Sequence, residues 1–173
     1  MQLRVMRCSR TFVAAAMVLA TVATGVEAAA VKPKPVIGQL VIAGTTSQVA
    51  AFSWVVTADT SWTKGSGASV GHPVPTAIQF TKLLDSSSIP TLLKITQGSS
   101  FPTAVFTTTL GKGNTASTMV YEMENLFVTN VTESAADGLV TEDVSFVFKK
   151  VTWTFTDASG NVTTGSWDVT PTS

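Results

Sequence analysis

Ile78-Gln-Phe-Thr-Lys-Leu-Leu-Asp85-Ser-Ser-Ser-Ile-Pro90-Thr-Leu-Leu-Lys-Ile-Thr-Gln-Gly98 is the stretch where a strand pattern gives way to a helix pattern. Ile78, Phe80 and the methylene stem of Lys82 alternate with polar residues, the period of a half-buried strand. Leu92, Leu93 and Ile95 then crowd one side of a short helix. The boundary is chemically marked. Asp85 and the run Ser86, Ser87, Ser88 offer oxygens to orphan amide donors, and Pro90 suits a first helical turn that needs no amide hydrogen there. Gly98 can take the left-handed stop.

Outward from this block, the chain reads as strands. Residues 36–43 and 49–57 are rich in β-branched side chains and are joined by a turn at Gly44-Thr-Thr-Ser-Gln48, with Phe52 and Trp54 on one face and Trp54 as a core anchor. Residues 59–75 carry Gly65, Gly67, Gly71, Pro73 and Pro75 among serines and threonines, which predicts a long exposed loop. Loops of that length are uncommon unless they have a function. After the helix, Phe101-Pro102 leads into a strand over 103–110 in which Val105 and Phe106 pack, and Gly111-Lys-Gly-Asn-Thr115 makes a hairpin turn.

Met119, Tyr121 and Met123 alternate cleanly. The period blurs at Leu126, Phe127 and Val128, which predicts a bulge near Glu124-Asn125. Val144, Phe146 and Phe148 lie on one parity and Val151, Trp153 and Phe155 on the other, so an extra residue is expected near Lys149-Lys150. Asp157-Ala-Ser-Gly-Asn161 is a turn, and 162–169, carrying Trp167, pairs back. The count is about eight strands and one short helix. Strands that bend in this way help to close an antiparallel β-barrel, so the fold class is mainly β.

The amino end has a different chemistry. Arg4, Arg7 and Arg10 precede an apolar run over 12–23, and Gly25-Val-Glu-Ala-Ala-Ala30 supplies the small residues a signal peptidase accepts. The run is about half of the roughly 20 residues that span a bilayer, so residues 1–30 read as a cleaved secretory signal and not as a span. Cys8, the sole cysteine, lies before the run, where it cannot serve a lipoprotein anchor. Lys32-Pro-Lys-Pro35 makes 31–35 a stiff linker, and 36–173 is of one-domain size. The expected location is secreted or periplasmic, in a bacterium.

Every arginine falls within that signal, leaving eight lysines scattered among ten carboxylates from residue 31 on. Phosphate backbones are held by clustered lysine and forked arginine, so nucleic acid is excluded as a partner. Lys149-Lys150 is the only basic pair after the linker and reads as solvated strand surface.

The inventory for chemistry is thin. His72 is the only histidine; with a serine and Asp59 or Asp85 it would have to form a triad from a Gly/Pro-rich loop with no nucleophile elbow. Glu122 and Glu124, two residues apart on one strand face, point into water. Asp137-Gly138 and Glu142-Asp143 lack the ligand rhythm of a calcium loop and are explained by turn chemistry. Asn130-Val-Thr132 and Asn161-Val-Thr163 match a glycosylation pattern too short to carry weight. No catalytic, cofactor-binding or metal-binding residue is assigned, and the protein is expected not to be an enzyme.

The block 78–98 resembles the haemolysin-coregulated protein (Hcp) family, the inner-tube subunits of type VI secretion. Similar to the family pattern are Ser53-Trp54, Phe80-Thr81-Lys82 with Asp85 and Ser88, Gly98 with Ala104, and Glu142-Asp-Val144-Ser-Phe146-Val-Phe148. Lys150-Val151 and Phe155 continue that register. Ser166-Trp167-Asp168-Val169 is similar to the family's closing strand with its glycine replaced, so the resemblance covers roughly 36–169. Pro90 is shifted one residue from the usual helix-starting position, and the first loop lacks the family's glutamate. The resemblance implies a closed barrel with one helix and self-association into a homohexameric ring that stacks into a tube, with 59–75 as a stacking contact and secretion partners or cargo beyond it. A cytoplasmically assembled tube needs no cleaved export signal, so the signal implies an Hcp-like ring-forming or binding module exported by the general pathway. The alternative is a monomeric extracellular or periplasmic β-domain that keeps the fold without tube assembly.

Overall fold

The computed structural model describes residues 35–65 and 67–169. The segments read as signal peptide (1–30) and linker (31–35, except Pro35) lie outside the described residues. The first described elements form a tight hairpin, β1 (Gly38–Ile42) and β2 (Thr45–Ser53), whose pair Ile42↔Thr45 leaves only Ala43 and Gly44 to turn. Both have positive φ, 51° and 78°, the two-residue turn whose twist matches the strands it joins. The five-residue turn expected at 44–48 is thus shortened, because β-branched Thr45 and Thr46 join the ladder.

Residues 59–75, expected as a loop, instead fall in a second hairpin, β3 (Val56–Thr63) and β4 (Gly67–Pro75), which forms its own two-stranded sheet. Its glycines sit at the tip and at a register shift between Ala58 and Thr60. The Ser/Thr/Val alternation between them pairs as strand; the glycines fall at those two irregular places, whereas Pro73 and Pro75 stand opposite Ala58 and Val56 in the ladder.

Next come β5 (Ile78–Leu83), α1 (Ser88–Gln97) and β6 (Ser100–Leu110). Gly98 ends the helix at φ 62°, ψ 27°; its N–H reaches the Ile95 carbonyl and the Ser99 N–H reaches that of Lys94, the paired bonds of a left-handed glycine stop. The most buried residues of α1 are polar, Ser88 and Thr91, while Ile95 packs against the core and Leu93 points outward instead of inward.

A six-residue turn with one 3₁₀ turn leads to β7 (Ser117–Ala136), and an Asp137-Gly138 turn with both φ positive leads to β8 (Leu139–Val147). β9 (Lys150–Thr156) and β10 (Val162–Asp168) complete the fold. The main sheet has eight strands in the order β10-β9-β7-β6-β1-β2-β5-β8, and β8 pairs again with β7. That extra pairing closes six antiparallel strands into a barrel, with β9 and β10 as an extension from β7.

The phase changes read from sequence are real but are made differently. β7 buries Met123, then Leu126 and Val128, with Asn125 between them at φ 53°. β6 buries Phe101, then Ala104 and Phe106, with Pro102 falling level with Asn125. The partner of β7 buries Phe148, then Val151. The pairs Phe127↔Val147 and Glu124↔Lys150 are equally spaced on both strands, so no residue is inserted at Lys149-Lys150. The parity changes in β6, in β7 and in the run from β8 to β9 lie level with one another. An additional register shift in β7 lies between Val128 and Asn130, and one in β2 lies between Val49 and Ala51.

Inside, Leu40, Ile42, Val49, Ile78, Phe80, Phe106, Met123, Leu126, Val144 and Phe146 are sealed from solvent. Val105, expected to pack, is half-buried, because Ala104 and Phe106 hold the inward parity. Phe80 and Phe106 meet edge to face at 5.0 Å, and Phe52 lies 4.9 Å from Phe106. Trp54 lies at the rim of the core, with ring centroids 5.6 Å from Phe148, 6.0 Å from Trp153 and 6.4 Å from Trp167, and its Nε1–H donates to the Thr76 carbonyl.

Candidate assembly surface and its buried support

The entry of α1 is held by an ionic cluster inside the barrel. Lys82 shares inward parity with Ile78 and Phe80, so β5 drives an ammonium into the interior. Directly across the ladder, Glu142 shares inward parity with Val144 and Phe146 on β8. Lys82 Nζ lies 3.3 Å from Glu142 Oε1, with side chains 2% and 0% exposed. It also donates to Asp85 Oδ1 at 3.1 Å and Ser88 Oγ at 2.9 Å. Asp85 Oδ1 accepts from the Ser87 N–H at 2.8 Å and hydroxyl at 2.6 Å, while Ser47 and Ser87 hydroxyls meet at 2.9 Å.

Burial alone would push the Asp85 carboxyl up; the Ser87 hydroxyl, Ser47, the Ser87 amide and Lys82 together outweigh it and hold the carboxyl below its ordinary value. Neither oxygen of Glu142 makes a hydrogen bond, so Lys82 is its electrostatic counterweight. The cluster therefore binds strand to helix.

Alternation alone predicts burial of only the Lys82 stem, and turn chemistry for Glu142; the structure seals both charges inside. The signal was there: each charge sits on the inward parity of its own strand, and the two signs are opposite. Glu124 also departs from expectation, since it is half-buried and accepts from Lys150 Nζ at 2.6 Å, while Glu122 is exposed.

Among the described residues, the β3–β4 hairpin and the outward face of α1 carry some of the most exposed apolar side chains. In the β3–β4 hairpin, Val56, Ala58, Thr60 and Trp62 oppose Pro75, Pro73, Val70 and Ala68, so one face is almost wholly apolar, whereas Thr57, Asp59 and Ser61 lie on the other. Trp62 is 82% exposed and Val70 69%. The outward face of α1 carries Ile89 and Leu93, one turn apart, with Thr96 and Gln97 and no charge. Its one charged residue, Lys94, lies 5.6 Å over the Phe101 ring.

His72 and Asp59 lie on the exposed hairpin, in the stretch where its register shifts, and Asp85 belongs to the ionic cluster. Asp137-Gly138 is the β7–β8 turn. Among the described residues no three His, Cys, Asp or Glu side chains gather as a metal-binding group. A shallow groove of about 380 Å³ on the wall is lined by Gln79, Thr81, Asn130, Asp143 and Ser145; Asp143 accepts from the Thr81 hydroxyl there. Among the described residues no helix is long and apolar enough to cross a membrane.

A closed six-stranded antiparallel barrel with one helix and a separate two-stranded hairpin defines the class as a mainly β barrel protein. The family model "Type VI secretion system effector, Hcp" matches residues 43–155, well over half of the chain. The chain belongs to the Hcp family. Comparison with curated proteins gave no match. Among solved structures, "Structure of a type six secretion system protein" is similar with TM-score 0.65 and 19% identity, covering 78% of this chain and 96% of that one. Hcp1 from Salmonella typhimurium gives 0.62 and 18% over 78% and 96%. A doubly substituted form of Hcp1 from E. coli EAEC 042 gives 0.61 and 22% over 79% and 99%. Fold and family together are those of a type VI secretion tube-like structural protein.

Proposed function

We propose that this chain is a non-enzymatic Hcp-like structural protein that is exported by a cleaved signal (residues 1–30) and self-associates through residues 36–173 into a ring, the homohexamer implied by its family, in the periplasm or outside the cell. The observation that carries the reading is the joint presence of the Hcp barrel and two apolar surfaces facing solvent, where a solitary domain would place charge. Both surfaces are part of well-formed elements, so they are built for contact and not left by disorder. The Lys82–Glu142–Asp85 cluster serves this role by fixing the helix whose outer face is one of the two.

Light scattering coupled to size-exclusion chromatography on the purified protein tests the ring: a mass near one subunit at high micromolar concentration would instead identify a monomeric extracellular or periplasmic β-domain. Amino-terminal sequencing tests export. A first residue between Ala29 and Lys32, in protein recovered from periplasm or culture medium, is expected; an intact Met1 in the cytoplasm would return the chain to the ordinary tube-subunit route.

A further inference from the structure

We propose that residues 31–34 of this chain, Val-Lys-Pro-Lys, fold back across β2 and seat their lysines on Asp143, in the shallow groove of the barrel wall. The contact does not depend on ring formation and holds for a monomer as well.

Direction and reach come from the ladder. β1 begins at Gly38 opposite Val49, and the Ile37 N–H still bonds the Val49 carbonyl. The pairing is antiparallel, so the chain before Val36 heads along β2 toward Ala51 and Ser53. Those two residues form the β2 side of the groove; Gln79 and Thr81 follow on β5, then Asp143 and Ser145 on β8. Asp143 pairs with Thr81, which pairs with Ala51, so it lies two strand spacings from β2, roughly 10 Å. Four extended residues span up to roughly 13 Å before the length of a lysine side chain is added.

Charge selects this groove. Asp143 accepts a hydrogen bond from the Thr81 hydroxyl but forms no ion pair among the described residues, and its cross-strand partners are Thr81 and Thr132. No lysine stands between Lys112 and Lys149, whereas Glu122, Glu124, Glu133, Asp137, Glu142 and Asp143 all do. Of the eight lysines after residue 30, six lie among the described residues, together with all ten carboxylates; the other two are Lys32 and Lys34. A second groove, of about 680 Å³, opens beside Val36 itself, but its only charged residue is Lys112, which would repel them.

The rest of the groove suits a proline-rich backbone. Pro33 and Pro35 have no N–H to give, so the segment presents mainly carbonyl acceptors. The Ser53 hydroxyl donates to Gln79 Oε1 at 3.3 Å, which leaves the Gln79 amide hydrogens for an acceptor. Asn130 Nδ2 donates one hydrogen to Thr132 at 3.1 Å and keeps the other. The prolines also restrict the segment in advance, so less conformational entropy is lost on docking.

Zero-length coupling tests the contact. A carbodiimide activates a carboxylate, and a lysine amine touching it then forms an amide as the activated oxygen leaves with the spent reagent. On the purified protein, mass spectrometry of the digested product is expected to find Lys32 or Lys34 linked to Asp143. The link should vanish in Asp143→Asn, whose circular dichroism spectrum should match wild type because the residue is exposed. An equal mixture of isotope-light and isotope-heavy protein identifies the source of the lysine. Links within one isotope are expected; links of mixed isotope would show that another copy's linker fills the groove and would overturn the proposal. Links from Lys32 and Lys34 chiefly to Asp59, Glu133 or Asp137, or spread evenly over the exposed carboxylates, would overturn it as well.

Discussion

Lys82 and Glu142 are cross-strand partners whose charges meet at 3.3 Å inside the barrel wall, with almost no access to water. A buried pair of this kind contributes modestly while intact, because desolvation offsets much of the attraction. Breaking it strands the remaining charge. Glu142→Ala is therefore expected to cost roughly 3–5 kcal/mol, measured by urea denaturation. The combined Lys82→Met, Glu142→Leu protein should lose much less than the single variant. A double variant as unstable as Glu142→Ala would show that packing, and not the pair, sets the cost.

Asp85 makes part of this stability depend on pH. Its folded carboxyl is held below the ordinary value of 3.8, so its contribution is fully present above that value and is lost as the pH falls through the lower, folded value. Wild type should exceed Asp85→Asn in urea midpoint by a constant margin at neutral pH, and the margin should shrink in acid below the ordinary value. A margin unchanged through strong acid would show that the Asp85 charge adds nothing.

Gly98 stops α1 with a left-handed backbone, and a side-chain carbon there would meet open space. Only conformation opposes substitution. Gly98→Val is expected to lower stability by about 1–2 kcal/mol, read as a lower melting temperature. An unchanged melting temperature would mean that the helix end shifts to avoid the strain.

Gly38 is constrained in the opposite way. A β-carbon at this position would collide with the Thr107 carbonyl and the Phe106 ring across the β1–β6 ladder. Gly38→Ala should cost about 1–3 kcal/mol by overpacking, visible as a lower denaturation midpoint with the same m-value.

Trp54 joins the ends of β2, β9 and β10 through three aromatic neighbours, but it is half-buried and not the sealed anchor that its sequence context predicts. Trp54→Ala is expected to cost about 2–3 kcal/mol, below the range for a fully buried tryptophan. A loss under about 1 kcal/mol would mean that the aromatic cluster closes without it.

The strand-to-helix block at 78–98 was legible because each piece carries its own local chemistry: alternation in Ile78 and Phe80, the polar entry at Asp85, the glycine exit. The parity changes near Asn125 and Lys150 were legible as well, since alternation reports which side a residue faces. What alternation does not report is how a neighbouring strand responds. One strand read alone suggests an inserted residue at Lys149-Lys150, whereas the ladder shows parity changes that lie level in β6, in β7 and in the run from β8 to β9. The β3–β4 hairpin was hidden by composition, because its glycines and prolines outweigh the weak Ser/Thr/Val alternation between them. Its apolar face exists only once register is known: Trp62 and Val70 are eight residues apart in sequence and are brought to one side by pairing. Lys82 and Glu142 were readable in principle from parity, but a charged residue's preference for water made the exposed reading the natural one.

The level parity changes at Pro102, Asn125 and Phe148 also bear on how such a chain can change over time. A residue gained or lost in any one of these three segments would put its parity change out of step with the other two, and no single partner could take up the slack. Length variation among descendants of this sequence should therefore collect in the connections at 43–44, 64–66, 111–116, 137–138 and 157–161, while the segments between them stay fixed in length even where their residues drift.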